Sequence, residues 1–140
     1  MAVTIPTTAD GDQPPFRFVD IPADANSQQA AIRFLVTELV RSEAPSVADP
    51  EDLIQRILVR EELGSTGIGG GVAVPHAKSN EVSRSVAIAG RLALPVDWQS
   101  LDGRPVRLVI LAVIPPSDSA AYLRHLGSVA RYLRNTDGAS

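Results

Sequence analysis

An α/β fold, with helices packed against a β-sheet, is what the sequence predicts. Three observations carry that reading. Helical and strand-like hydrophobic patterns interleave along the chain. Every position from Leu108 to Ile114 is apolar, which marks a central strand covered on both faces. The 140 residues show no internal repeat and no second pattern of elements, so one core is expected.

Residues 1–15, "MAVTIPTTADGDQPP", read as a flexible leader, and residues 16–140 as the domain. The first element is "FRFVDIP", a candidate edge strand closed by Pro22. "NSQQAAIRFLVTELVRSE" follows as an amphipathic helix with Ile32, Leu35, Val36, Leu39 and Val40 on one side. Asn26 or Ser27 caps it, and Pro45 ends it. "DPEDLIQRILVREELG" is the best-punctuated helix: Asp49 as N-cap, Pro50 at the first helical position, and Leu53, Ile54, Ile57 and Leu58 as the buried stripe. Gly64 is expected at C′ with positive φ. Arg60 borders the buried stripe in the last turn. Beyond a glycine-rich stretch, "SVAIAGRLALP" and "VRLVILAVIPP" read as strands, with Asp102–Pro105 as the turn before the second. Ser117 or Asp118 opens a last helix carrying Leu123, Leu126, Ala130 and Leu133 on one side.

Composition excludes several functions. There are no cysteines, so disulfides, thiol catalysis and Cys-ligated metals are out, and a reducing cytoplasm fits. The net charge of −3 and the scattered basic residues argue against nucleic-acid binding. No apolar run is long enough to enter a bilayer as a helix, and the first residues lack the pattern of a signal peptide.

The chemistry concentrates in "GSTGIGGGVAVPHAKS", Gly64 to Ser79. It is no P-loop, because no Lys and hydroxyl pair follows the glycines. It is no dinucleotide fingerprint, because the third glycine is missing. A metal site lacks ligands: the chain has 2 histidines, far apart, and this stretch has no carboxylate. An anion site fits better. Glycine N–H groups can converge on phosphate oxygens, Ser65 and Thr66 add hydroxyls, and Arg60 and Lys78 add positive charge. At the centre stands His76, a residue type that offers a neutral, nucleophilic nitrogen near neutral pH. Pro75 restricts the chain on its approach to His76. From spacing alone the alternative stays open: a glycine turn followed by a structural, hydrogen-bonded histidine. By the same measure Tyr122 and His125 on the last helix read as packing residues.

The stretch "REELGSTGIGGGVAVPH" closely resembles the signature of the phosphotransferase-system IIA proteins of the fructose, mannitol and nitrogen-regulatory class. Arg60-Glu61, Gly64 to Gly69 and Val72 to His76 occupy the motif positions, and "LDGRPVRLVILAVIPP" is similar to the family's later turn and strand. The resemblance implies a mixed central β-sheet flanked by helices on both faces. It implies a cytoplasmic phosphocarrier in which His76 is phosphorylated by HPr and passes the phosphoryl group to a IIB domain, with Arg60 in support. The regulatory alternative it implies is a protein whose His76 phosphorylation state controls partner binding. Ser65, Thr66, Gly67 and Lys78 are the expected phosphate contacts, and no cofactor or metal is implied. Many relatives carry a second active-site histidine in the last helix. Aligning Leu123 and Leu126 puts Tyr122 at that position, with a neutral hydroxyl donor in its place. The family pattern also continues with a further helix where this sequence ends in "RNTDGAS"; a reduced architecture, or exposed apolar surface and self-association, is the expected consequence.

Overall fold

The computed structural model describes residues 17–137; the leader, Phe16 and the last three residues lie outside the described part. The side chains of His125 and Leu133 also lie outside it. In chain order the elements are β1 (Arg17–Ile21), α1 (Gln28–Glu43), α2 (Pro50–Leu63), β2 (Gly67–Gly69), β3 (Val72–Ala73), β4 (His76–Lys78), β5 (Val86–Val96), β6 (Val106–Ile114) and α3 (Ser119–Asp137), the last preceded by a short 3-10 turn at Pro116–Asp118.

Both early helices start where their caps dictate. The Ser27 hydroxyl accepts from Ala30 N across 3.0 Å, and the Asp49 carboxylate accepts from Asp52 N across 3.2 Å, each satisfying one of the free N–H groups of a helix start. The expected left-handed glycine at the end of α2 is absent. Gly64 has φ 166°, which is extended backbone open to any residue. The final turn is instead held by Gly64 N donating to Glu61 O and by Arg60 Nη1 donating to Gly64 O.

The sheet runs β1-β5-β6-β3-β2, with β4 also paired to β6. It is mixed: β1 is parallel to β5, β5 antiparallel to β6, and β3 and β4 parallel to β6. As expected, β1 lies at an edge and β6 at the centre. Alternation along β6 divides the core in two. Val109, Leu111 and Val113 join the cluster that includes Ile32, Leu35 and Leu39 of α1 and Leu53, Ile54 and Ile57 of α2. Leu108, Ile110, Ala112 and Ile114 join Leu126, Val129 and Ala130 of α3. The helices therefore cover both faces.

The glycine-rich stretch is not a loop. β2 and β3 form an antiparallel hairpin, turned by Gly69, Gly70 and Gly71 at φ 93°, 65° and 83°, the region that glycine enters without a steric penalty. β3 and β4 then run along one edge of β6 in a single register: Val72 lies opposite Leu108, Ala73 opposite Val109, His76 opposite Ala112 and Lys78 opposite Ile114. They are in effect one strand, interrupted at Val74-Pro75, where proline brings no N–H to the ladder.

Candidate functional site

The interruption at Val74-Pro75 sets the geometry of His76. Ala112 N donates to Pro75 O and Val74 N donates to Thr66 O. The Val74 carbonyl then lies 2.9 Å from His76 Nδ1. A carbonyl oxygen only accepts, so Nδ1 carries the proton in the neutral ring and Nε2 keeps its lone pair. The register also assigns the ring to a face. His76 lies opposite Ala112, and Ala112 opposite Ala87, so two methyl groups stand beside the imidazole on the α3 side. Tyr122, Leu123 and Val74 pack on that same side. Lys78, two residues further along the strand, shares the face and is exposed.

The other predicted residues are placed differently. Arg60 is borne by α2, whose buried side chains belong to the opposite layer, and its guanidinium lies 2.7 Å from Gly64 O, at the entrance to the glycine stretch. The hydroxyl of Ser65 donates to Trp98 O across 2.6 Å and accepts from Gly67 N. The hydroxyl of Thr66 donates to the carboxylate of Glu61, which also accepts from Thr66 N. The expected phosphate donors Ser65, Thr66 and Gly67 thus already bond to protein acceptors, Trp98 O remote in sequence and Glu61 and Ser65 Oγ nearby.

The carboxylate-free cradle also needs correction, because two carboxylates from outside Gly64 to Ser79 bond to it. Glu61 is one. The other is Asp102, which the sequence presents only as a turn residue. Its Oδ2 accepts from Gly70 N across 2.9 Å and its Oδ1 from Arg104 N across 3.1 Å. Together with Leu101 N donating to Gly67 O, these bonds fasten the segment before β6 to the glycine hairpin. The Gly70 amide, and secondly that of Arg104, hold the Asp102 carboxyl below its ordinary range. A lowered folded-state pKa adds stability above the unfolded value and loses it as pH falls through the folded value. Acidification below the usual aspartate range should therefore loosen the hairpin. Asp102→Ala should do the same at neutral pH, with Gly70 amide exchange severalfold faster. Hydrogen-exchange NMR reads both, and unchanged Gly70 protection in the variant would count against this tether.

A mixed sheet layered between helices, with a histidine on the strand beside β6, places this chain in the α/β class of domains. Residues 17–139 match the family described as "Phosphoenolpyruvate-dependent sugar phosphotransferase system, EIIA 2", and the chain belongs to that family. It is 36% identical to a nitrogen regulatory protein of Bradyrhizobium diazoefficiens over 113 residues, 80% of this chain and 71% of the relative. It is 28% identical to a fructose-specific EIIA component of Haloferax volcanii over 123 residues, 88% of this chain and 79% of the relative. The crystal structure of nitrogen regulatory protein IIA-Ntr from Neisseria meningitidis superimposes with a TM-score of 0.70 at 28% identity, covering 83% of this chain and 76% of the other. Among the described residues no helix is long and apolar enough to cross a membrane.

Proposed function

We propose that this chain is a phosphocarrier of the phosphotransferase system, accepting a phosphoryl group from phospho-HPr on Nε2 of His76 and passing it to an EIIB domain. The observation that carries this reading is the bond from His76 Nδ1 to Val74 O. The Nε2 lone pair attacks phosphorus, the bond from phosphorus to the donor breaks, and its electron pair leaves with the donor. The ring becomes more positive as the new bond forms. The Nδ1–H bond to a carbonyl then strengthens, because charge-assisted bonds are the stronger kind. That bond is already in place before the reaction, so little reorganisation accompanies the transfer.

Lys78 contributes charge from the same face of the sheet. Arg60 contributes by exchanging its Gly64 carbonyl for the phosphoryl oxygens, and Tyr122 by its hydroxyl on the α3 side. Arg60→Ala should slow phosphorylation by on the order of tenfold or more, while costing about 1 kcal/mol of stability for the lost carbonyl bond. Stopped transfer assays and urea denaturation separate the two, and the opposite ranking would make Arg60 a helix-end residue alone. Tyr122→Phe should slow transfer a few-fold; an unchanged rate would remove the hydroxyl from the reaction.

The likeness to a nitrogen regulatory protein supports a second reading, in which the same His76 chemistry serves as a signal and the two phosphorylation states bind different partners. Labelling from phosphoenolpyruvate through HPr tests the chemistry that both share. Transfer onward to an EIIB domain supports the carrier reading, and a partner captured by one phosphorylation state alone supports the regulatory one.

A further inference from the structure

Glu61 is one of three buried polar or charged residues among those described, with 9% of its surface exposed. It lies at the end of α2, yet its hydrogen bonds reach away from that helix. One carboxylate oxygen accepts from Gln28 Nε2, at the start of α1, across 3.0 Å and from Thr66 N across 3.2 Å. The other accepts the Thr66 hydroxyl. Thr66 is itself 4% exposed. A single side chain thus ties the ends of two helices to Thr66, the residue just before β2 of the glycine hairpin.

From Thr66 the bonds continue to the histidine. Thr66 O accepts from Val74 N across 3.0 Å, and Val74 O accepts from His76 Nδ1 across 2.9 Å. Burying a carboxylate carries a desolvation penalty that an apolar residue of similar volume would avoid. This carboxylate is held by three donors, and two of them belong to the residue that anchors Val74. With both its N–H and its hydroxyl on Glu61, Thr66 cannot turn about its backbone without breaking two buried bonds. Its carbonyl therefore has one direction, and so does the Val74 N–H that meets it. Pro75, with its fixed φ, holds the far side of Val74. What remains is a Val74 carbonyl with a single orientation, aimed at Nδ1.

We propose that Glu61 is a positioning residue for His76: through Thr66 and Val74 it fixes which ring nitrogen carries the proton and where the ring points. The proposal rests on the reading that Nε2 of His76 takes the phosphoryl group. Without the fixed carbonyl an imidazole is free to place its proton on either nitrogen, and a ring protonated on Nε2 has no lone pair there to attack phosphorus.

The test uses the full chain with ¹⁵N-labelled histidine. Long-range ¹H–¹⁵N spectra, recorded where the imidazole is neutral, report the tautomer of His76, its signals assigned by their loss in His76→Ala. The wild type should show one tautomer, protonated on Nδ1. Glu61→Ala and Thr66→Val should show a mixture, with the phosphorylation rate from phospho-HPr lowered by on the order of tenfold and KM for phospho-HPr unchanged. Glu61→Gln keeps an acceptor oxygen for Thr66 and should restore most of the wild-type tautomer and rate. Should Glu61→Ala fail to fold, Thr66→Val carries the test, because it removes one hydroxyl and keeps the branched shape. A folded Thr66→Val that retains the pure Nδ1-protonated form and wild-type kcat overturns the proposal. If wild type takes no phosphate at all, the phosphocarrier reading falls, while the tautomer spectra still decide the role of Glu61.

Discussion

His76→Ala is expected to take up no phosphate from phosphoenolpyruvate, enzyme I and HPr, while wild type acquires an acid-labile label. The loss should be complete rather than partial, because removing the imidazole removes the atom that forms the bond to phosphorus. The fold should survive. His76 begins a short strand, is only half-buried, and gives up one hydrogen bond, to Val74 O, at a cost of about 1 kcal/mol. A near-normal denaturation midpoint beside absent labelling therefore separates lost chemistry from lost structure. The label in wild type should reside on Nε2, since Nδ1 is committed to Val74. Equal labelling of the variant would end the phosphocarrier reading, and label on Nδ1 would show that the Val74 bond breaks before transfer.

The parts of this fold that are legible in the sequence are those specified by neighbours along the chain. Ser27 and Asp49 mark helix starts because a cap bonds to an amide three residues later. β6 is legible because a strand covered on both faces is apolar throughout. The glycine stretch is only half legible. β2, β3 and β4 are too short to show a period, and what makes them strands is their pairing with one another and with β6, a long way along the chain. The same distance hides the site's acceptors. Nothing local to "GSTGIG" reveals that Ser65 bonds to Trp98 O, or that Gly70 meets Asp102. Glu61 is adjacent to Arg60 in the motif, but its burial depends on how α1 packs, which no spacing records. His76 is a candidate from the glycine, hydroxyl and proline positions around it, which constrain the backbone locally, but those positions leave a structural histidine open, and only the resemblance of the whole stretch to the family motif singles it out.

Packing between α1 and the sheet sets the second large effect. Gly90 lies within β5, opposite Val19 of β1 and Val109 of β6. A methyl group there would come within 2.7 Å of Ile21 Cδ1 and 2.7 Å of Leu35 Cδ2. Alanine in a strand is ordinarily better than glycine by about 0.5–1 kcal/mol, because it restricts the unfolded chain. Here overpacking outweighs that gain: Ile21 and Leu35 are 2% and 0% exposed, so neither can swing its terminal methyl into solvent. Gly90→Ala should destabilise the protein by about 1–3 kcal/mol. Leu35→Ala, which empties the neighbouring space, should cost about 2–5 kcal/mol. The double variant should be more stable than the sum of the two predicts, by about 0.5–3 kcal/mol, because the new methyl enters space that Leu35 has vacated. Urea denaturation of the four proteins measures that coupling, and simple additivity would mean that the sheet moves away from α1 instead of resisting it. Movement of that kind would be felt at the histidine, since β6 is paired to β5 on one side and to His76 on the other. A rigid sheet keeps the two apart, and the phosphorylation rate of Gly90→Ala, measured well below its unfolding temperature, should then match wild type.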